Sequence, residues 1–360
     1  MNSPATIRSL TYEALDIPLR EPFGIAGGVQ EVAQNVLVTI ELADGTCGYG
    51  EAAPFHAVNG ETQASVMQAF AAVRRGLEGA DVREWRRIAS WLRAQIGPAS
   101  SARCAIETAI LDALTRQARI PLWAFFGGAS TQLETDMTIT IGSVAHAITA
   151  AQDILARGIR IIKIKVGADD LALDIERIAS VHTVALALPL ILDGNGAFTA
   201  DTALQLLTAL QAYDITPMVF EQPVPRDDWA GLRQVSQRGG VPVAADESVT
   251  CAADALRVIQ EQAAQVVNIK LMKCGIAEAL DIAALCRVAN LQLMIGGMVE
   301  SMLAMTTSAC FAAGLGSFRY IDLDTPLFLA HNPFTGGFRQ TGGLLDLAHI
   351  TAGHGVQPAR

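Results

Sequence analysis

From residue 137 to residue 324 the chain alternates between short apolar runs and helical-spaced stretches of about 10–16 residues, and it does so eight times. The apolar runs lie at 137–141, 160–166, 188–194, 218–223, 241–247, 265–271, 291–297 and 319–324. Short runs rich in Val, Ile and Leu read as buried parallel strands, and a parallel strand needs a crossover before the next can pair. Eight strands with seven intervals filled by helices is the count of a (β/α)8-type barrel, so the fold class is α/β. The eighth helix is expected to be short or absent, because the sequence after Thr325 carries no helical pattern.

The flanks differ in character. Residues 7–19 and 36–42 alternate apolar and polar positions, and Ala43-Asp44-Gly45-Thr46 is a turn signal before a returning strand at 47–51. Residues 20–30, with Pro22, Gly24, Gly27 and Gly28, read as a loop, and a second loop is expected at 53–60. Helices are predicted at 62–77, 82–96 and 101–117; the last places Ala105, Ala109 and Ala113 on one stripe. The Gly-rich, strand-like tail at 334–341 and 344–350 is expected to return to the N-terminal meander. Residues 1–130 with 325–360 are therefore expected to form an α+β cap, and 131–324 the barrel.

Composition narrows the partners. Apolar residues make up 51% and charged residues 17%, which suits a thick interior, while the net charge is −10 and the 26 Lys and Arg form no run. Nucleic acid and anionic membrane surfaces are thus poor partners. Cys47, Cys104, Cys251, Cys274, Cys286 and Cys310 show no C-x-x-C spacing, the residues from Met1 to Leu10 lack a signal-peptide pattern, and no uncharged apolar run of about 20 residues occurs. A cytoplasmic protein is expected, and a homo-oligomer is compatible with a barrel of this size.

Nearly every strand ends on something ionisable. Lys163 and Lys165 share one face of the second strand, since side chains alternate along a strand. Asp193, Glu221 and Asp246 end the next three, Lys270 the sixth, and Asp322 and Asp324 the eighth. From Lys165 through Asp193, Glu221 and Asp246 to Lys270 the steps are 28, 28, 25 and 24 residues, one strand–helix unit each. Such charges fall at one height around the C-terminal mouth, where barrel enzymes keep their active sites. A single Asp closing a strand is ordinarily a helix cap, but three carboxylates converging in an apolar barrel repel unless a cation lies among them. All-oxygen ligands without His or Cys favour Mg²⁺ or Mn²⁺, one ion per site. A metal holding a substrate carboxylate stabilises the dianion left when the α-proton leaves, and lysines on opposite sides can remove and return that proton. Strands two and six lie across the barrel from each other, which is the geometry of a racemase or epimerase.

Lys163-Ile164-Lys165, Asp193-Gly194-Asn195, Glu221-Gln222-Pro223, Ala245-Asp246-Glu247-Ser248 and Lys270 resemble the enolase superfamily, muconate-lactonising-enzyme subgroup, over the whole chain. The resemblance implies a modified barrel with a cap built from both termini, enolate chemistry and one Mg²⁺. It implies Asp193, Glu221 and Asp246 as metal ligands, Lys165 and Lys270 as acid/base residues, and Lys163 as support for Lys165 and the substrate carboxylate. Asp322-Leu323-Asp324 is similar to the dipeptide epimerases, where such a pair binds the substrate's α-ammonium group; two carboxylates at i and i+2 suit a cation. Thr138 and the backbone at Gly297-Met298 resemble further substrate contacts. One feature departs from the alanine–glutamate members: residues 22–29 carry no basic residue and 53–60 only His56. A dipeptide that is cationic or hydrophobic at its second residue is therefore expected, with Glu51 as a partner for a cation. Cycloisomerases, o-succinylbenzoate synthases and N-acylamino acid racemases share the two-lysine frame and are the nearest alternatives. A Schiff-base lysine aldolase is the alternative from another class, and borohydride trapping distinguishes it.

Overall fold

The computed structural model describes residues 3–25, 28–167, 170–185 and 188–359. Three strands, β1 (Ile7–Ile25), β2 (Gly28–Leu42) and β3 (Cys47–Ala52), form an antiparallel sheet in that order. The turn between β2 and β3 is the expected one: Asp44 Oδ1 accepts from Thr46 N at 2.9 Å, and Gly45 takes φ 87°. The expected loop at 20–30 is instead a continuation of the hairpin, with Phe23, Gly24 and Ile25 paired to Gln30, Val29 and Gly28; residues 26–27 lie outside the described ones. Pro22 is tolerated because it falls in the register shift between Pro18 and Phe23, where no ladder hydrogen bond is forfeited.

Helices α1 (Gln63–Leu77), α2 (Trp85–Ile96) and α3 (Ser100–Ala118) cover this sheet. The Ala105/Ala109/Ala113 stripe meets β3. A Cβ on Gly50 would stand 2.0 Å from the Ala105 carbonyl oxygen and one on Gly48 2.1 Å from that of Ala109, so small residues on both sides let helix and strand touch. Towards the barrel, Arg103 Nη1 donates to the Cys274 carbonyl at 3.0 Å and Glu107 Oε2 accepts from Ala277 N at 2.9 Å.

Burial pushes the Glu107 carboxyl up to about 7, against the pull of the Ala277 amide and Arg103. Its folded pKa is raised, so the stability it contributes is intact below its ordinary value of 4.5 and lost as pH rises through about 7. Glu107→Gln keeps an acceptor without the charge. Its stability relative to the parent should rise by about 3 kcal/mol between pH ~4.5 and ~8. Denaturant unfolding at several pH values checks this, and a difference independent of pH contradicts it.

Eight parallel strands then alternate with seven helices: β4 (Met137–Ile139), α4 (Val144–Ala156), β5 (Ile162–Lys165), α5 (Leu171–Val184), β6 (Leu190–Asp193), α6 (Ala200–Gln211), β7 (Val219–Glu221), α7 (Trp229–Arg238), β8 (Val243–Ala245), α8 (Ala252–Glu261), β9 (Val266–Lys270), α9 (Ile276–Val288), β10 (Gln292–Gly296), α10 (Met302–Leu315) and β11 (Phe318–Ile321). The strands neighbour one another in sequence order, and β11 meets the start of β4 where Asp136 N donates to the Ile321 carbonyl at 3.0 Å. After β11 there is only a short 3-10 turn, Thr325–Leu327, as expected.

The tail returns to the N-terminal sheet through its side chains, as expected, but its backbone pairs elsewhere. Phe334–Gly336 pairs with Val356–Pro358, and Arg339–Thr341 with Leu344–Asp346, which in turn pairs with Gln132–Glu134. The N-terminal sheet is met by the preceding segment, through a Leu19–Leu329 bridge and the bond from Ala330 N to the Pro18 carbonyl, 2.8 Å, and by side chains of the tail, since Phe334 and Val356 pack with Leu37, Leu15 and Tyr49. Of the tail's backbone pairings, the Arg339–Thr341 and Leu344–Asp346 hairpin is local, closed by Gly342-Gly343, so little loop entropy is lost in forming it. No helix among the described residues is long and apolar enough to cross a membrane.

The barrel interior is layered. Ile191, Val219, Ala244, Val266, Met294 and Tyr320 form one buried apolar floor, with Ile161 packed against it. Two residues further along, the same strand faces carry Lys163, Asp193, Glu221, Asp246, Asn268, Gly296 and Asp322. The floor excludes water from below, and the charged layer above it opens to the mouth.

Candidate active site

All five periodic residues reach that layer and are buried: Lys165 and Lys270 are 6% and 7% exposed, while Asp193, Glu221 and Asp246 are fully enclosed. Strand register sets their height, with Lys165 paired to Asp193 and Asp193 to Glu221. Lys165 Nζ stands 2.9 Å from both Asp193 Oδ2 and Asn195 Oδ1. Lys270 Nζ stands 2.7 Å from Asp246 Oδ2. Lys163 Nζ lies 2.9 Å from Asp193 Oδ2, 2.7 Å from Glu221 Oε2 and 2.7 Å from Asp322 Oδ2, so it ties the carboxylates of strands β6 and β7 to the residue after β11.

Burial would push the Asp193 carboxyl up, but Lys163, Lys165 and Lys270 outweigh it and hold it well below the usual range. Lys270 and Lys273 do the same for Asp246. Glu221 goes the other way, up to about 8, from burial and the neighbouring Asp193. Desolvation would lower Lys270, yet Asp246 and Glu221 keep it above the usual lysine value.

Asp193, Glu221 and Asp246 fit a hard divalent cation. They offer only oxygen, and two enclosed atoms, Glu221 Oε2 and Asp246 Oδ2, accept no hydrogen bond although an ammonium lies within ion-pair distance of each. Their other oxygens are oriented from behind: Asn268 Nδ2 donates to Glu221 Oε1 at 2.8 Å, and Lys273 Nζ to Asp246 Oδ1 at 2.6 Å. Such supports fix the direction in which the outward oxygens point.

Asp322 and Asp324 enter the same cleft as Lys163, Lys165 and Lys270, together with Thr138, Gly297 and Met298. Thr138 N donates to Asp324 Oδ2 at 2.7 Å, which fixes that carboxylate at the β4–β11 junction. From the cap, Phe55 and Val58 complete the wall. Glu51 is not part of it. It is 1% exposed, and its carboxylate accepts from Asn35 Nδ2 at 2.7 Å, from Ser301 N at 3.0 Å and from the Ser301 hydroxyl, so it locks β3 to the start of α10. The expectation of Glu51 as a substrate-cation partner is thereby corrected, because its lone pairs are spent within the fold.

Sequence reasoning passed over Asn195, Asn268, Lys273 and Asp136. Asn268 carried a readable signal, standing two residues before Lys270 on the same strand face, while Asn195 lies in the turn after Asp193, with φ 41°. Lys273 lies in a helical turn, and Asp136 precedes its strand like any turn residue, so neither stood out.

With the geometry laid out, comparison with known proteins identifies the lineage. Residues 146–360 match the enolase C-terminal domain-like family and residues 8–127 the mandelate racemase/muconate lactonizing enzyme N-terminal domain. An aromatic dipeptide epimerase of Herpetosiphon aurantiacus is 54% identical, covering 99% of this chain and 100% of that one. A mandelate racemase/muconate lactonizing enzyme structure from Roseiflexus sp. is 60% identical with TM-score 0.95, covering 100% of both chains. The dipeptide epimerase of Enterococcus faecalis V583, solved with Mg and L-Leu-L-Tyr, is 33% identical with TM-score 0.94, covering 98% of this chain and 99% of that one. The protein is therefore an enzyme with an enolase-type capped barrel. It belongs to the mandelate racemase/muconate lactonizing enzyme family, and its class is isomerase.

Proposed function

We propose that the protein is a Mg²⁺-dependent dipeptide epimerase that inverts the α-carbon of the C-terminal residue by two-base proton transfer through an enolate. The observation that carries this is the placement of Lys165 and Lys270 in one cleft, from strands four apart in an eight-strand ring, beside three enclosed carboxylates. One ammonium is needed to protonate and one free amine to deprotonate, and a lysine on each face of the α-carbon supplies both without rotating the intermediate. Asp193, Glu221 and Asp246 would hold the metal, which when bound neutralises charge accumulating on the substrate carboxylate. Lys163, held between Asp193 and Asp322, adds a fixed positive charge at that carboxylate. Asp322 and Asp324 receive the α-ammonium group.

The division into a cap, residues 1–130 with 325–360, and a barrel, 131–324, assigns specificity to the cap and chemistry to the barrel. The second side chain of the dipeptide is hydrophobic rather than acidic. Phe55, Val58 and Met298 wall the cleft, and among the described residues its cations are the three lysines already committed to chemistry. With Glu51 removed, a cationic side chain loses the partner expected for it.

A panel of L-Ala-L-Xaa dipeptides tests this. L-Ala-L-Phe should exceed L-Ala-L-Glu in kcat/KM by about 100-fold, since an unpaired carboxylate must be desolvated in the second case. A preference for L-Ala-L-Glu contradicts the reading.

A further inference from the structure

We propose that Asp136 is a third carboxylate of the α-ammonium receptor, placed beneath Asp322 and Asp324, and that it sets the preference for a free amine over an acylated one. The proposal rests on the dipeptide reading above and adds a residue that the sequence had not singled out.

The layering of the barrel sets Asp136 apart. On seven strands the floor position is apolar: Ile161, Ile191, Val219, Ala244, Val266, Met294 and Tyr320. The eighth contributor is Asp136, which immediately precedes β4, level with Ile161 because Met137 pairs with Ile162, and is fully enclosed. An aspartate has no packing reason to stand in a hydrophobic layer, and an enclosed carboxylate is costly unless something compensates it.

The surroundings of Asp136 are acidic as well. Neither Asp136 Oδ1 nor Oδ2 accepts from an N–H or hydroxyl donor; the group each faces is another acid, and burial together with Asp322, whose carboxyl lies within hydrogen-bond reach, pushes the Asp136 carboxyl well up. An oxygen from each of Asp136, Asp322 and Asp324 lies within 4.8 Å of the others. Lys163 does not resolve the excess, because it already serves Asp193, Glu221 and Asp322 at 2.7–2.9 Å. Thr138 N satisfies one oxygen of Asp324 and carries no full charge. Three acids thus converge where the residues present supply part of one cation. An alkylammonium group seated on Asp322 and Asp324, which line the cleft, brings three N–H donors and one positive charge to this trio of acids, with Asp136 enclosed beneath the other two. An N-acylated substrate brings one neutral N–H to the same place and leaves the repulsion unrelieved.

The test compares the Mg²⁺-loaded parent, Asp136→Asn and Asp136→Ser on the best dipeptide of the panel and on its N-acetyl analogue. The analogue is read as KM, or as Ki where it is not turned over. For the free dipeptide, KM should rise about 10–100-fold in both variants with kcat changed only a few-fold, the loss of one charge-assisted contact. The N-acetyl analogue should bind as in the parent, so selectivity for the free amine falls by the same factor.

Proportional losses for both ligands, an unchanged selectivity, or unfolding of both variants assign Asp136 a structural role and overturn the proposal. Binding of a second divalent ion per chain, lost in Asp136→Asn, overturns it in favour of a metal site. If the parent turns over no dipeptide, the parent reading falls and this one with it. If the parent prefers the free amine and the variants do so equally, only the role of Asp136 falls.

Discussion

Lys270→Ala is expected to lower the rate of epimerisation by at least about 10³-fold while leaving the fold and dipeptide binding intact. Lys270 ends β9 and faces the cleft opposite Lys165, so its loss removes the only acid or base proposed for one face of the α-carbon. The same loss is expected for Lys165→Ala. The two variants should differ in what survives: each should still exchange the α-proton of the one epimer that its remaining lysine reaches. Measurement of exchange and inversion separately, on both epimers, distinguishes this from a general loss of activity. Epimerisation at the parental rate by Lys270→Ala contradicts the two-base account.

The second large effect concerns the enclosed carboxylates. Glu221→Gln is expected to weaken Mg²⁺ binding about 10²-fold or more and to reduce turnover in step. Glu221 stands between Asp193 and the support from Asn268, and its Oε2 is the atom left without a hydrogen bond. The amide keeps the volume and one acceptor but removes the charge. Chelation of the parent should abolish activity, and added Mg²⁺ should restore it. Titration calorimetry with Mg²⁺ alone reads the affinity directly, and unaltered affinity in Glu221→Gln contradicts the ligand assignment.

What the sequence disclosed follows from which interactions are periodic. Parallel strands are apolar on both faces and separated by helices of similar length, so the barrel and its seven helices were readable from pattern alone. Charges at one height repeat with the strand–helix unit, which exposed Lys165, Asp193, Glu221, Asp246 and Lys270 together. Long-range pairing leaves no such trace. The glycines and Pro22 between residues 20 and 30 read as a loop, yet cross-strand pairing carries the hairpin through them. Glu51 read as a cation partner because its bonds to Ser301 span 250 residues and have no local signature. Asp136 was invisible for a related reason. Its meaning comes from the segment after β11, where Asp322 and Asp324 lie 186 and 188 residues further along the chain.

Transfer of the α-proton is the central claim, and proton NMR in D₂O with Mg²⁺ and a hydrophobic L-Ala-L-Xaa dipeptide tests it most directly. The account predicts that solvent deuterium enters at the α-carbon of the C-terminal residue alone, with the inverted epimer carrying deuterium from the first turnovers. Inversion with the original proton retained, or deuterium entering the N-terminal residue, contradicts it.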